Sequence, residues 1–160
     1  MEQLDALVSR IDATWFGTGL SGATQARLAE LAHELHAPPG PRLLREGEET
    51  RELGLVVAGR VALRDLVPGR GSVTLMTVEA GDIFGWSAPI PPFRSTTTVV
   101  AIDAVNVVAF DGARLRAACR ADIALAAAVY QQVLEAVARR LLATRHQLLD
   151  LYAANAGGQW

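Results

Sequence analysis

Residues Gly81–Thr98 read GDIFGWSAPIPPFRSTTT. The segment opens on a turn pair, Gly81-Asp82, runs through Ile83-Phe84, and meets a second glycine at Gly85. Pro89, Pro91 and Pro92 interrupt the next stretch, and a lone arginine, Arg94, precedes Ser95, Thr96, Thr97 and Thr98. Two readings fit these residues. A glycine-led turn presents backbone N–H groups to an anion, and an arginine facing it adds a bidentate charged fork. The same residues also suit a hairpin connection whose threonines begin a strand. The surrounding chain has to decide.

On either side, the apolar period changes twice. Glu2–Phe16 carries Leu4, Leu7, Val8, Ile11 and Trp15 at helical spacing. Gly17-Thr18-Gly19 stops it, and a second helix is expected over about Ala23–Leu35, with Leu28, Leu31, Ala32 and Leu35 on one face. His33 and His36 would close that helix as solvent-facing residues; they are three apart with no third metal ligand nearby. After Pro38-Pro39-Gly40-Pro41, short apolar runs alternate with turns. Arg42–Leu44 leads into Glu46-Gly47-Glu48, and strands are expected at Leu53–Ala58, Val61–Val67, Val73–Val78, Thr97–Ile102 and Val105–Phe110. Such regular spacing predicts a closed or jelly-roll-like β architecture.

The helical period then returns. Asp111 suits the N-cap of a helix over Gly112–Arg120. A long helix is expected from about Asp122 to Ala153, roughly 45 Å at 1.5 Å per residue. Within it Ile123, Tyr130, Val137, Thr144 and Leu151 fall seven apart, and Ala127, Leu134, Leu141 and Leu148 follow four later. An a/d seam of this kind calls for a partner helix, so a homodimer through Ile123, Ala127, Tyr130, Leu134, Val137, Leu141 and Leu148 is expected. Residues 155–160 read as a frayed tail.

Composition narrows the function classes. Of 160 residues, 51% are hydrophobic and 20% charged, which describes one globular domain with a real core. No apolar run is long enough to span a bilayer, and MEQLDALVSRID is no signal peptide, so a cytoplasmic protein without membrane contact is expected. Cys119 is the single cysteine, which excludes an internal disulfide and a cysteine metal site; a small buried helix residue is expected. The net charge of −2 carries no basic excess, so this chain alone is not expected to bind nucleic acid. All three histidines fall on predicted helices, away from the strands where a jelly-roll metalloenzyme needs its ligands. With no P-loop or dinucleotide fingerprint either, neither catalytic nor metal residues are assigned and no enzyme is expected.

With these elements in order, the chain resembles the cyclic-nucleotide-binding domain family, in particular the sensor half of Crp/Fnr-type regulators. Arg45-Glu46-Gly47-Glu48 resembles the family's turn after the first strand, and Val57-Ala58-Gly59-Arg60-Val61 its V-x-G-x-V hairpin. Gly81-Asp82-Ile83-Phe84-Gly85 is similar to the GDxFG lead-in of the phosphate-binding cassette, and Arg94-Ser95 to its closing arginine and hydroxyl. Arg139-Arg140-Leu141 and Thr144 resemble a run on the dimer helix of cyclic-AMP-responsive members. The resemblance implies an α+β domain over 1–154: a helical lead over 1–40, an antiparallel β-roll over 41–110, and helices over 111–154 that end in a dimerisation helix. It implies a ligand site of Phe84, Gly85, Trp86, Ser87, Arg94, Ser95 and Thr96, with Thr144 on the base side, and a cyclic nucleotide, cyclic AMP or cyclic GMP, as ligand.

Two departures bear on that expectation. Family members that bind nucleotide carry a ribose-binding glutamate where this chain has Trp86. An indole donates only, and losing a charge-assisted hydrogen bond of about 1.5–3 kcal/mol weakens binding by about ten- to a hundredfold. The prolines would also disturb the short helix that presents N–H groups to the phosphate. A degenerate cassette is therefore expected, one that binds a cyclic nucleotide weakly or takes another small anion. A second departure is that no helix-turn-helix pair follows the long helix, so a stand-alone sensor or a piece of a longer regulator is expected. The alternative is a protein-interaction or dimerisation module that has lost nucleotide binding, with Trp86 and Phe93 plugging the pocket and an unknown protein as partner.

Overall fold

The computed structural model describes residues 1–157. Helix α1 (Glu2–Asp12) buries Leu7 and Ile11. It stops short of the expected Phe16 because Thr14 turns the chain. The Thr14 hydroxyl donates to the Ile11 carbonyl at 2.6 Å and accepts from the Gly17 N–H at 3.0 Å, so it caps a new single turn, α2 (Trp15–Thr18). Helix α3 (Gly22–Ala29) starts at Ser21, whose hydroxyl accepts from the Thr24 N–H.

The expected continuation of this helix to Leu35 is corrected. Ala32–Ala37 forms the first strand, β1, antiparallel to β8 (Val105–Asp111) over six residue pairs. His33 and His36 therefore lie on a strand and not at a helix end, and the roll begins before residue 41. The sequence AHELHA has ample helix propensity, but a ready-made strand edge supplies a ladder that an isolated helical turn does not.

Strands β2 (Arg42–Leu44), β3 (Glu52–Ala58), β4 (Val61–Val67), β5 (Gly71–Val78), β6 (Ile83–Phe84) and β7 (Thr98–Ala101) complete two four-stranded antiparallel sheets, in the orders β1-β8-β3-β6 and β2-β7-β4-β5. Period-two alternation splits β3 and β8 between two cores. Val56, Val107 and Ala109 face the inside of the roll with Val61, Val99 and Phe84. Leu53, Leu55, Val108 and Phe110 face the helices and pack with Ile11, Phe16, Leu28, Leu115 and Val129. The result is the expected α+β β-roll with leading helices and a long closing one.

Asp111 caps α4 (Gly112–Ala121), accepting from the Arg114 N–H at 2.8 Å, and Asp122 caps α5 (Ile123–Ala156) by accepting from the Leu125 N–H. Thirty-four residues make α5 about 50 Å long. It runs past the expected end at Ala153 and takes in Asn155 and Ala156, with Gly157 in a turn; residues 158–160 of the expected tail lie outside the described residues. Cys119 is buried on α4, where desolvation raises its thiol pKa.

Besides its buried apolar face, polar side chains in the first half of α5 tie it to the rest. The Gln132 amide donates to the Phe16 carbonyl at 2.8 Å in a buried setting, above a Gly19 that leaves no room for a methyl group. The Arg139 guanidinium lies 3.8 Å over the Trp15 ring. Arg140 is largely buried, with its Nη2 at 3.6 Å from Asp82 Oδ1. Burial pulls its pKa down, and the Asp82 carboxylate opposes that shift.

Replacing Gln132 with leucine orphans the buried Phe16 carbonyl, and urea denaturation should show a loss of about 1–3 kcal/mol. Asp82→Ala strips Arg140 of its counter-charge. The expected loss is about 1–3 kcal/mol, less than for a fully buried pair because Asp82 is partly solvated. Adding Arg140→Met should recover stability; a double variant as unstable as Asp82→Ala would show that the pair is not what the aspartate supports.

Candidate ligand site

The cassette segment is seated by backbone pairing. The Gly81 N–H donates to the Val56 carbonyl at 2.7 Å, and the Val56 N–H donates to the Asp82 carbonyl at 3.0 Å. Asp82 also accepts from the Ile83 N–H through its carboxylate at 2.7 Å. Gly85 has φ +72°, and a Cβ there would come within 2.6 Å of the Glu52 carbonyl oxygen, so the position requires glycine.

Between Gly85 and Arg94 the chain forms consecutive turns and no helix. The Ala88, Ile90 and Phe93 N–H groups bond to the carbonyls of Gly85, Ser87 and Ile90. The Pro91-Pro92 bond is cis, and Phe93 takes a positive φ of 62°. Arg116 holds this loop from α4: it donates to the Ala88 carbonyl and stacks 4.3 Å over the Phe93 ring. The Thr50 N–H bonds to the Phe93 carbonyl, and Glu49 and Arg94 form an isolated bridge.

The expected site residues do not all converge. Phe84 is buried inside the roll, its ring across the Cα of Gly54. Trp86 turns the other way and packs half-buried on the helical core, so it does not fill the roll interior. Ser87 is buried with its hydroxyl 2.7 Å from the Thr50 hydroxyl. The buried Ser95 hydroxyl donates to the Thr97 carbonyl at 2.6 Å. Thr96 is exposed. Thr144 is exposed on α5, with its hydroxyl bonded to the Arg140 carbonyl one turn back. Two of the hydroxyls expected to meet a phosphate are thus already engaged within the fold.

Arg94 is exposed and donates through Nη1 to the Gly47 carbonyl at 2.9 Å. It stands on the rim of a cavity of about 820 Å³ that opens between the two sheets and reaches Phe84. Three further arginines, Arg42, Arg45 and Arg51, share that rim with Glu48, Glu49 and Glu52. The sequence reading missed these rim residues. One signal was available, a glycine at position 54 inside an otherwise apolar strand, which marks a close approach. Among the described residues no group of three or more metal-ligating side chains gathers, and no helix is long and apolar enough to cross a membrane.

Comparison with known proteins agrees with this architecture. A family model for the cyclic nucleotide-binding domain matches residues 34–122, more than half of the chain. The chain is 27% identical over 141 residues to a CRP-like cAMP-activated global transcriptional regulator of Mycobacterium tuberculosis; the match covers 88% of this chain and 61% of that protein. The chain therefore spans about six tenths of the length of the curated relatives it matches. A solved cyclic nucleotide-binding domain from Methylobacillus flagellatus shares the fold at a TM-score of 0.78 and 19% identity, over 93% of this chain and 84% of that one. A structure from Geobacter metallireducens, provisionally described as a cyclic nucleotide-binding protein, is similar at a TM-score of 0.74 and 29% identity, over 83% and 96% of the two chains. With two sheets in the roll order, a glycine-bracketed cassette and a closing helix, the chain belongs to the cyclic nucleotide-binding domain family.

Proposed function

We propose that this domain is a ligand-sensing regulatory module that works as a homodimer in the cytoplasm, without catalysis and without nucleic-acid contact of its own. The observation that carries the reading is the division of α5. One face, Leu125, Val129, Val133 and Ala136, is buried on the domain. The other leaves Ile123, Leu134, Leu141 and Leu148 exposed by 84, 66, 62 and 53%, with Tyr130 and Ala127 beside them and Val137 half-buried. An apolar heptad seam of that extent calls for a second helix. The same helix grips the head of the cassette through Arg140 and Asp82. An anion held at Arg94 would then bias how two copies of α5 pack, provided it binds the two arrangements with different affinity.

The ligand in this reading is a small anion, and a cyclic nucleotide is one candidate. A cAMP-activated relative supports that choice. Trp86 in the helical core opposes it, because no carboxylate stands at that position to take a ribose hydroxyl. The engaged Ser87 and Ser95 hydroxyls favour the second reading, a dimerisation or protein-interaction module without a nucleotide.

Native mass spectrometry with cyclic AMP and cyclic GMP tests both readings. A dimer whose nucleotide binding falls at least tenfold in Arg94→Ala supports sensing. A dimer that stays empty supports the interaction module. Leu134→Lys combined with Leu141→Lys should give a folded monomer by sedimentation; a persistent dimer would show that the seam is not the interface.

A further inference from the structure

We propose that the cavity between the two sheets takes a carboxylate bearing an apolar tail, of the size of a medium-chain fatty acid. The inference deepens the sensing reading and rests on it for one point, that Arg94 contacts the anionic end of the ligand.

The cavity arises from one row of residues across the first sheet. His33 pairs with Ala109, Ala109 with Gly54, and Gly54 with Phe84. The next inward row reads Leu35, Val107 and Val56 and fills the space between the sheets in the ordinary way. In the row that opens the cavity, the two middle positions offer a methyl group and nothing. Phe84 leans into the room left at Gly54, where a Cβ would meet its ring at 2.3 Å, and Ala109, buried beside it, closes the inner end of the cavity with only a methyl group. Leu35, Leu43 and Leu44 supply the remaining apolar wall. At about 820 Å³ the space is of ligand size.

The rim is polar and mostly unspent. Glu52 is held by His33 at 3.1 Å, and Arg94 by the Gly47 carbonyl. Among the described residues, Arg42, Arg45 and Arg51 have neither an ion pair nor a side-chain hydrogen bond. Four guanidiniums against Glu48, Glu49 and Glu52 leave one net positive charge at the mouth. That balance suits a single negative charge and resists a dianion. A carboxylate meets a guanidinium fork in two parallel hydrogen bonds, and its tail would lie on an apolar floor.

Titrating the full chain calorimetrically with hexanoate, octanoate and decanoate tests the proposal, with 1-decanol as the uncharged control and cyclic AMP run separately. Each buried methylene should tighten binding by about two- to fourfold, and decanol should bind at least tenfold more weakly than decanoate. Ala109→Leu should abolish decanoate binding. The surface pair Arg45→Gln with Arg51→Gln, which leaves the core untouched, should weaken it at least tenfold and decides the matter if Ala109→Leu fails to fold. Affinity independent of chain length, or untouched by the arginine pair, would place the tail elsewhere, such as the exposed α5 leucines, and overturn the proposal. Cyclic AMP binding that depends on Arg94, with no fatty carboxylate bound, overturns this inference and leaves the sensing reading standing. Binding of neither overturns this inference and favours the interaction module.

Discussion

Two residues, Gly81 and Asp82, hold the molecule together through their backbone and one carboxylate. Gly81 donates to β3, accepts from the Phe16 N–H of the leading helices, and takes φ +98° to do both. The neighbouring Trp15 backbone leaves room for a Cβ there, so it is the positive φ, which L residues rarely adopt, that favours glycine. Asp82 accepts from β3 through its carbonyl and faces Arg140 of α5 through its carboxylate. Sheet, leading helices and closing helix therefore meet at one turn. The Gly81 N–H and the Asp82 carbonyl bond to β3 and the Gly81 carbonyl to α2, whereas Arg140 Nη2 is buried with no hydrogen bond and depends on the Asp82 carboxylate by charge alone.

The two cores divide the work of holding the long closing helix and shaping the roll. The helical core runs from Leu7 to Ala136 and anchors the first half of α5 by burial. The roll interior is a separate cluster, and it is less completely filled at the end where Gly54 and Ala109 stand side by side. The helical core and the cavity thus lie on opposite faces of the same strands. A change in the cavity can be made without first disturbing the helical core.

Much of this was legible in the chain. The bounds of β4, the Asp111 cap and the exposed heptad seam all come from periodicity and capping chemistry that act locally. What was misread is non-local. Ala32–Ala37 looks helical because its own residues are, and it becomes a strand only because β8 offers an edge some seventy residues later. The orientation of Trp86 was equally hidden: its side is set by how the loop after Gly85 turns, under restraint from Arg116 and a buried Thr50–Ser87 contact. The cassette's Arg94 was visible as a lone cation after prolines, whereas Arg42, Arg45 and Arg51 join it on one rim only through the way β2 and the following loop close over β3.

Beyond Arg140 every residue of α5 is exposed, and among the described residues the side-chain hydrogen bond from this span to the roll is that of the Gln147 amide to the Leu75 carbonyl. The helix is therefore a lever with its fulcrum at Arg140. Sixteen residues at 1.5 Å each place the tip about 24 Å from that fulcrum. A tilt of about 5° at the Arg140–Asp82 contact carries the tip about 2 Å, a displacement that single atoms at the cassette need never make. Mechanical amplification of this kind requires only a rigid rod and an asymmetric mounting. The fold supplies the rod in the unbroken hydrogen-bond ladder of α5, and the mounting in the contrast between its buried first half and its bare second half.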